Sequence, residues 1–507
     1  LVLTQNFKIM KTKFVYVLTL FFTLTACKKD LLVTEVKDQF TENNFLKTEA
    51  DIKSALTPFY SLFGTDWGAA DVATGNYIGS FNVALGGIDF ITSKMTDDMF
   101  DVWKDPDLGS FAFGAATFNS NTQSVFFSRI QFVARATQLI DRLEKIEGVS
   151  DAVKNQYLGE MYCMRGWLLW ILYDLYGPLN PILDASQLSN KEMQPRMTAE
   201  AYLAATEADL IKAIGLMPTV RYNGNLNNWG RVSKSTASMI LLKLYVNTAK
   251  TPADWEKAKV IGTNLMGMGF SINNSYRNVF LEPANNEIIY AVPGNAGTFN
   301  WWFKLVLPSD AVIVNTITVR PGWGGMGMNW AFFDKYTPGD RRLETIASSY
   351  RRDNGGIRNR SNGLQYAIPM KYMRFVPTDQ GFDWVMFRYA DVLLYMAEIT
   401  NELGSGAPNN TTIDYLKQVT DRANVTIPAS ALLSKQAFKD YVFEERAKEL
   451  YFENGNRRQD MIRQGTFISN AIARGKPLAT AKNLVFPIPA NVIETSKGVL
   501  TQNNGYN

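Results

Sequence analysis

Histidine is absent from all 507 residues, and cysteine occurs only at Cys27 and Cys163. Without histidine there is no Ser-His-Asp or Cys-His nucleophilic machinery, no HExxH zinc site and no His-ligated metal. Two cysteines cannot build a thiolate cluster or a disulfide framework. Charge of one sign is lacking as well. The formal total is +4, and setting aside Lys8, Lys11 and Lys13 in the leader leaves 49 basic residues against 48 acidic. A chain so balanced has no global field to hold a phosphate backbone, so nucleic acid is not an expected partner. Beyond the leader, no run reaches the roughly 20 apolar residues that a membrane-spanning helix needs.

The leader itself reads as an address. Lys11 and Lys13 precede an apolar, threonine-containing run from Phe14 to Leu24, the pattern of a secretory signal over residues 1–26. Residues 1–9, ahead of Met10, read as an upstream start-site artefact. Leu24-Thr25-Ala26-Cys27 resembles the lipobox of a bacterial lipoprotein, in which Cys27 would be acylated and anchor the chain to a membrane. The alternative is an ordinary cleavage site with an incidental cysteine.

What is plentiful is aromatic residues, at 13%, and helical periodicity. Residues 151–176 carry apolar side chains at 3- and 4-residue spacing on more than one face, which predicts a central helix bounded by Ser150 and Gly177-Pro178. Further helices are expected at 123–147, 199–215, 233–249, 253–267, 388–403, 411–424 and 435–453. Short links make several of them antiparallel neighbours, as in a tetratricopeptide-like array. Between the helices, residues 64–121 and 284–384 are rich in Gly, Asn, Asp and Trp, with β-like runs at 287–292 and 311–319. Long irregular stretches of this kind are commonly functional. The expected architecture is mainly α: a helix-pair scaffold in a single domain, 27–507, carrying two elaborate loop regions.

Several blocks, in order, resemble the SusD/RagB family of outer-membrane nutrient-binding lipoproteins. They are the lipobox, 156–177 ending in Tyr-Gly, the Gly-Arg-initiated 230–249, and Asn286-Glu287-Ile288-Ile289. They continue with Arg388-Tyr389-Ala390-Asp391-Val392-Leu393-Leu394, Ala397-Glu398, Glu445-Arg446, Glu449-Leu450, Phe452-Glu453, Arg457 and Asp460. The end reads Pro487-Ile488-Pro489 and Gln502-Asn503-Asn504-Gly505-Tyr506. A departure at 453–460, where Glu453-Asn454-Gly455-Asn456-Arg457-Arg458 has an extra residue relative to the family's Glu-Gly-x-Arg, implies an altered local turn. The resemblance implies four tetratricopeptide-like helix pairs and no enzyme activity. It also implies lipid anchorage on the outer membrane facing the exterior, and delivery of oligosaccharides to a SusC-like TonB-dependent transporter. Two alternatives stay open: a peptide- or glycoprotein-binding member of the family, and a secreted glycoside hydrolase using a carboxylate pair. Glu453 and Asp460 are such carboxylates, but flanking arginines favour structural ion pairs.

Sugar recognition needs flat aromatic platforms and polar groups that match hydroxyls, set on loops over a rigid frame. The candidates are Trp67, Tyr77, Trp103, Trp301, Trp302, Trp323 and Trp330, with Asp98 as a polar partner. No metal or cofactor is expected. The aspartates of 97–107 leave calcium as an alternative, although their spacing is not that of an EF-hand. The expected ligand is neutral, and without histidine its binding should be flat between about pH 6 and 8.

Overall fold

The computed structural model describes residues 46–62, 69–71, 76–78, 88–104, 106–119, 127–294, 302–319, 321–372 and 382–506, with only the backbone described at 69–71, 76–78 and 89–90. The signal segment and Cys27 lie outside the described residues. So do Trp67, Trp301, Asp105 and the side chain of Tyr77, whose strand Asn76–Ile78 pairs antiparallel with Ala69–Asp71. Residues 48–507 form one compact unit.

Helix α1 (Glu49–Leu62) buries Ile52, Leu56, Phe59 and Leu62 on one stripe. Six helices then run through the middle of the chain: α2 (Ile130–Glu144), α3 (Asp151–Tyr176), α4 (Ala199–Leu216), α5 (Lys234–Thr248), α6 (Pro252–Met266) and α7 (Tyr389–Leu403). Each packs on the next, so the described scaffold is a continuous right-through array and not a closed bundle. Helix α8 (Asn410–Arg422) and helix α9 (Lys435–Glu449) both pack on α7.

Helix α3 is central, as its multi-faced apolar pattern predicts. It touches α1, α2, α4 and α5, and every residue from Gln156 to Leu172 is buried, Cys163 included. Ser150 Oγ accepts from Val153 N–H at its start, and Gly177, at φ +70°, ends it. Gly159 and Gly166, two turns apart, lie against α4: an added Cβ would meet Met217 at one and Leu210 at the other. Arg165 also bridges to α4, clasping Asp209 through two 2.7 Å hydrogen bonds.

The pairing of α6 with α7 spans the whole loop-rich segment between them. At their crossing Gly262 faces Met396, where a larger residue would overlap the thioether. The returning chain is carried by a two-stranded ribbon, Ile288–Val292 against Trp384–Arg388, on which Trp167 of α3 rests through Tyr290 and Phe387 at 5.5 and 5.0 Å between ring centres.

Two expectations change in detail. The run 311–319 is a hairpin, Ala311–Val314 and Ile317–Thr318, because Asn315 and Thr316 both take positive φ (44° and 68°), the two-residue turn that suits strand twist. Helix α9 stops at Glu449 instead of reaching 453, since Phe452, Asn454 and Gly455 turn left-handed. That turn is where the sequence carries its extra residue. It leads into helix α10 (Asn456–Arg463).

Many of the buried charges form two networks. In the first, Arg342, Arg388, Arg422, Lys371 and Lys448 meet Asp340, Glu287, Glu445, Glu449 and Glu453, five cations to five carboxylates. In the second, Arg446, Arg463 and Lys243 meet Asp391, Asp460 and Glu398. Balance matters because an unpaired buried charge costs several kcal/mol, about 3–5 when one partner is removed. Burial opposes ionisation of Glu449, but Arg422, Arg388 and Arg342 outweigh it and bring its pKa down to about 2. Glu453 is held by Lys371 and Arg388, and Asp460 by Arg446 and Arg463. Neither carboxylate is placed as a hydrolase acid. Lys448 pairs with Glu445, not with the Glu444 that helical spacing favours.

Candidate ligand-binding site

The two loop regions meet in one seam. Strand Met99–Asp101 pairs antiparallel with Met326–Met328, and Val102 N–H continues the ladder to Gly325 O at 3.1 Å. Asn329 fastens the end: its backbone N–H donates to Asp98 O, and its Nδ2 donates to Asp97 O and Met99 O at 2.9 and 2.6 Å. Glycine makes the seam possible. A methyl group at Gly327 would overlap the ring of Tyr366, which stacks on Phe100 at 5.5 Å; one at Gly325 would overlap the indole of Trp103.

Trp103 therefore lies over the Gly325 backbone, 41% exposed. Trp323, two residues upstream of Gly325, is 40% exposed, its backbone N–H held by Lys304 O at 2.6 Å. Exposure of this size on a large apolar residue is the signature of a contact surface when it recurs at one place. Trp330 is half-buried near by. Its Nε1 donates to Leu364 O at 3.0 Å, and the Arg360 guanidinium stands 4.9 Å over its ring, so that face is already engaged.

Two of the expected site residues are corrected. Trp302 is 1% exposed, donates Nε1–H to Pro369 O at 3.0 Å and packs against Tyr372, Trp384 and Phe452. It belongs to the core beneath the loops. Asp98 is fully buried and accepts from Thr96 Oγ1 at 2.5 Å; burial, with Asp97 beside it, raises its pKa. It faces inward and cannot meet a ligand's hydroxyls.

Beside the seam lies a groove of about 820 Å³, bordered by Phe100, Asp101, Lys104, Lys335 and Arg474. Sequence reasoning singled out none of these except Asp101, as a member of the acidic run. Lys335 and Arg474 lie far along the chain from 97–107, and no local pattern marks them. Asp97, at the groove wall, is clasped by Arg457 of α10 through two 2.6 Å bonds. Asp101 Oδ1 accepts from Trp103 N–H at 3.2 Å. The acidic run is thus drawn apart, and among the described residues no group of three acidic, His or Cys side chains is placed to hold a metal ion.

Residues 376–506 match the model of the SusD family. The starch-binding protein SusD of Bacteroides thetaiotaomicron is 23% identical over 447 residues, covering 72% of this chain and 75% of that protein. SusD-like protein P25 of Formosa agariphila is 21% identical and covers 89% of each chain. Surface glycan-binding protein A from Bacteroides uniformis superposes with a TM-score of 0.73 at 19% identity, over 90% of this chain and 99% of that one.

The C-terminal segment, residues 376–506, is that of a SusD-family protein, and the whole chain is similar to SusD-like relatives.

The mainly α scaffold with its loop regions is similar in fold to SusD-superfamily structures. The Bacteroides thetaiotaomicron surface glycan-binding protein A, solved with laminarihexaose, shares this fold with a TM-score of 0.71 at 17% identity, over 90% of this chain and 99% of that one. The C-terminal blocks read from the sequence, from Arg388 to Tyr506, all fall inside the matched segment.

Proposed function

We propose that this protein is a SusD-like glycan binder that takes oligosaccharides at the seam between its two loop regions. The observation that carries the reading is the pair of exposed indoles, Trp103 and Trp323, flanking the joined strands. An indole covers the C–H face of a pyranose, and neighbouring polar groups take the hydroxyls. Family relatives named as starch- and glycan-binding proteins support this assignment. The finer reading is a lipoprotein anchored through Cys27 on the outer membrane, its domain covering 27–507, handing its ligand to a SusC-like TonB-dependent transporter. It rests on the lipobox and the family resemblance. No catalytic step is assigned, in keeping with the ion-paired state of Glu453 and Asp460.

The test is affinity electrophoresis and calorimetry of the mature chain against a panel of polysaccharides and peptides. Trp103→Ala and Trp323→Ala should each weaken binding of the positive glycan by about 1–2 kcal/mol, roughly tenfold. Unchanged affinity in both would remove the seam from the site. Binding confined to peptides would replace the glycan reading, and new reducing ends on incubation would make the protein a hydrolase.

A further inference from the structure

The groove beside the seam has a charge that the chain as a whole does not. Lys94, Lys104, Lys335, Arg474 and Lys476 line it, brought from three separate stretches of sequence. The carboxylates lining it are Asp97 and Asp101. Asp97 is neutralised by the two-bond clasp of Arg457, itself largely buried. Five cations line the groove against two carboxylates, a local excess in a chain whose total is nearly zero. Low-dielectric walls concentrate such a field within a cleft.

The cations are not all loose surface lysines. Arg474 is half-buried and fixed: Nε donates to Asn470 Oδ1 and Nη2 to Met95 O, both at 2.7 Å. Both acceptors are neutral, and among the described residues no carboxylate lies within ion-pair distance of this guanidinium. Burial lowers its pKa, with Asp97 and Asp98 acting weakly in the opposite direction. A desolvated cation held by neutral acceptors gains from an incoming anion. The Lys335 ammonium, also lining the groove, stands 5.7 Å from the ring of buried Phe332. Phe100, stacked on Tyr366, supplies an aromatic surface in the same groove. An aromatic face ringed by cations matches a sugar ring bearing a negative substituent. A neutral glucan would bring no charge to Arg474, which is held by neutral acceptors.

From this arrangement we infer that the seam takes oligosaccharides carrying carboxylate or sulfate groups, with the anionic substituents seated in the basic groove. The inference rests on the glycan-binding reading and narrows its ligand class. It replaces the neutral ligand expected from overall composition.

The experiment uses matched probes on the mature chain: oligogalacturonate against its methyl ester, and sulfated dextran against dextran. At least one charged member should bind tenfold or more tighter than its neutral counterpart, roughly the effect of a few charge-assisted contacts. The pair that shows the difference tells carboxylate from sulfate. Binding should weaken as salt rises from about 50 to 500 mM. The triple variant Lys104→Ala, Lys335→Ala, Lys476→Ala should lose about tenfold in affinity. Lys191→Ala with Lys250→Ala, exposed and outside the groove, should lose nothing. Equal affinity for charged and neutral members overturns the anionic class and leaves glycan binding standing. So does binding of a neutral polysaccharide with no binding of either charged probe. Equal losses in the groove and control variants overturn it as well, by showing diffuse ion exchange. If no saccharide binds at all, the glycan reading falls with it.

Discussion

At the residue scale, arginine does most of the internal wiring. Arg388 reaches Glu287, Glu449 and Glu453, and its Nη2 also donates to Glu449 O at 2.7 Å. Its neighbours Tyr276 and Phe280 present ring faces 5.7 Å away. Replacing it with Met keeps the length but leaves three carboxylates short of a cation. Arg388→Met should therefore cost about 3–5 kcal/mol in urea unfolding. A loss below about 1 kcal/mol would show that the cluster relaxes or takes in water. The motif Arg388 to Leu394 was legible in the sequence as a block; its partners were not. Glu287 and Glu449 are 101 and 61 positions away, and no periodicity links them to it.

At the element scale, close approach decides which helices pair. Gly159 and Gly166 let α4 come against α3, with Leu210, Ala213 and Met217 filling the space a side chain would take. Gly166→Val would push into Leu210 and strain the crossing, at a cost of roughly 1–3 kcal/mol read as a shift in the thermal or urea midpoint. A neutral effect would mean that α4 can slide without loss. The helices themselves were legible to within a turn where caps are strong: the expected start at 253 is Pro252 behind a Thr251–Asp254 capping box. The partner of α6 was not legible. Its mate α7 lies beyond the loop-rich insertion, and amphipathic pattern shows that a face is buried without showing against what.

At the scale of the whole molecule, buried carboxylates tie stability to acid. Glu449 has its pKa lowered from 4.5 to about 2, its cations outweighing the cost of burial. A depressed carboxylate contributes stability that is fully present above the unfolded pKa and is lost as pH falls through the folded one. Through Glu449, and through Asp460 and Asp97, which are lowered as well, the urea midpoint should fall progressively between about pH 4.5 and 2, while the raised carboxylates Asp98, Glu160, Asp209 and Asp383 act in the opposite sense above that range. A midpoint unchanged down to pH 2.5 would mean that the ion clusters contribute no net stability.

The sequence alone determined the class of this protein. Helical period, capping residues and ordered motif blocks specified a mainly α scaffold with two loop regions, and Trp103 and Trp323 stood out by composition. Those are local properties, fixed by a residue and its near neighbours. Only the tertiary structure decided that the two loop regions close on each other through three-residue strands. It also decided that Trp302 and Asp98 turn inward while Trp103 and Trp323 stay exposed. The histidine-free, nearly neutral composition pointed to a neutral ligand, because net charge is a sum over the chain. The field at a site depends on where the charges come to rest, and folding gathers Lys94, Lys104, Lys335, Arg474 and Lys476 around one groove.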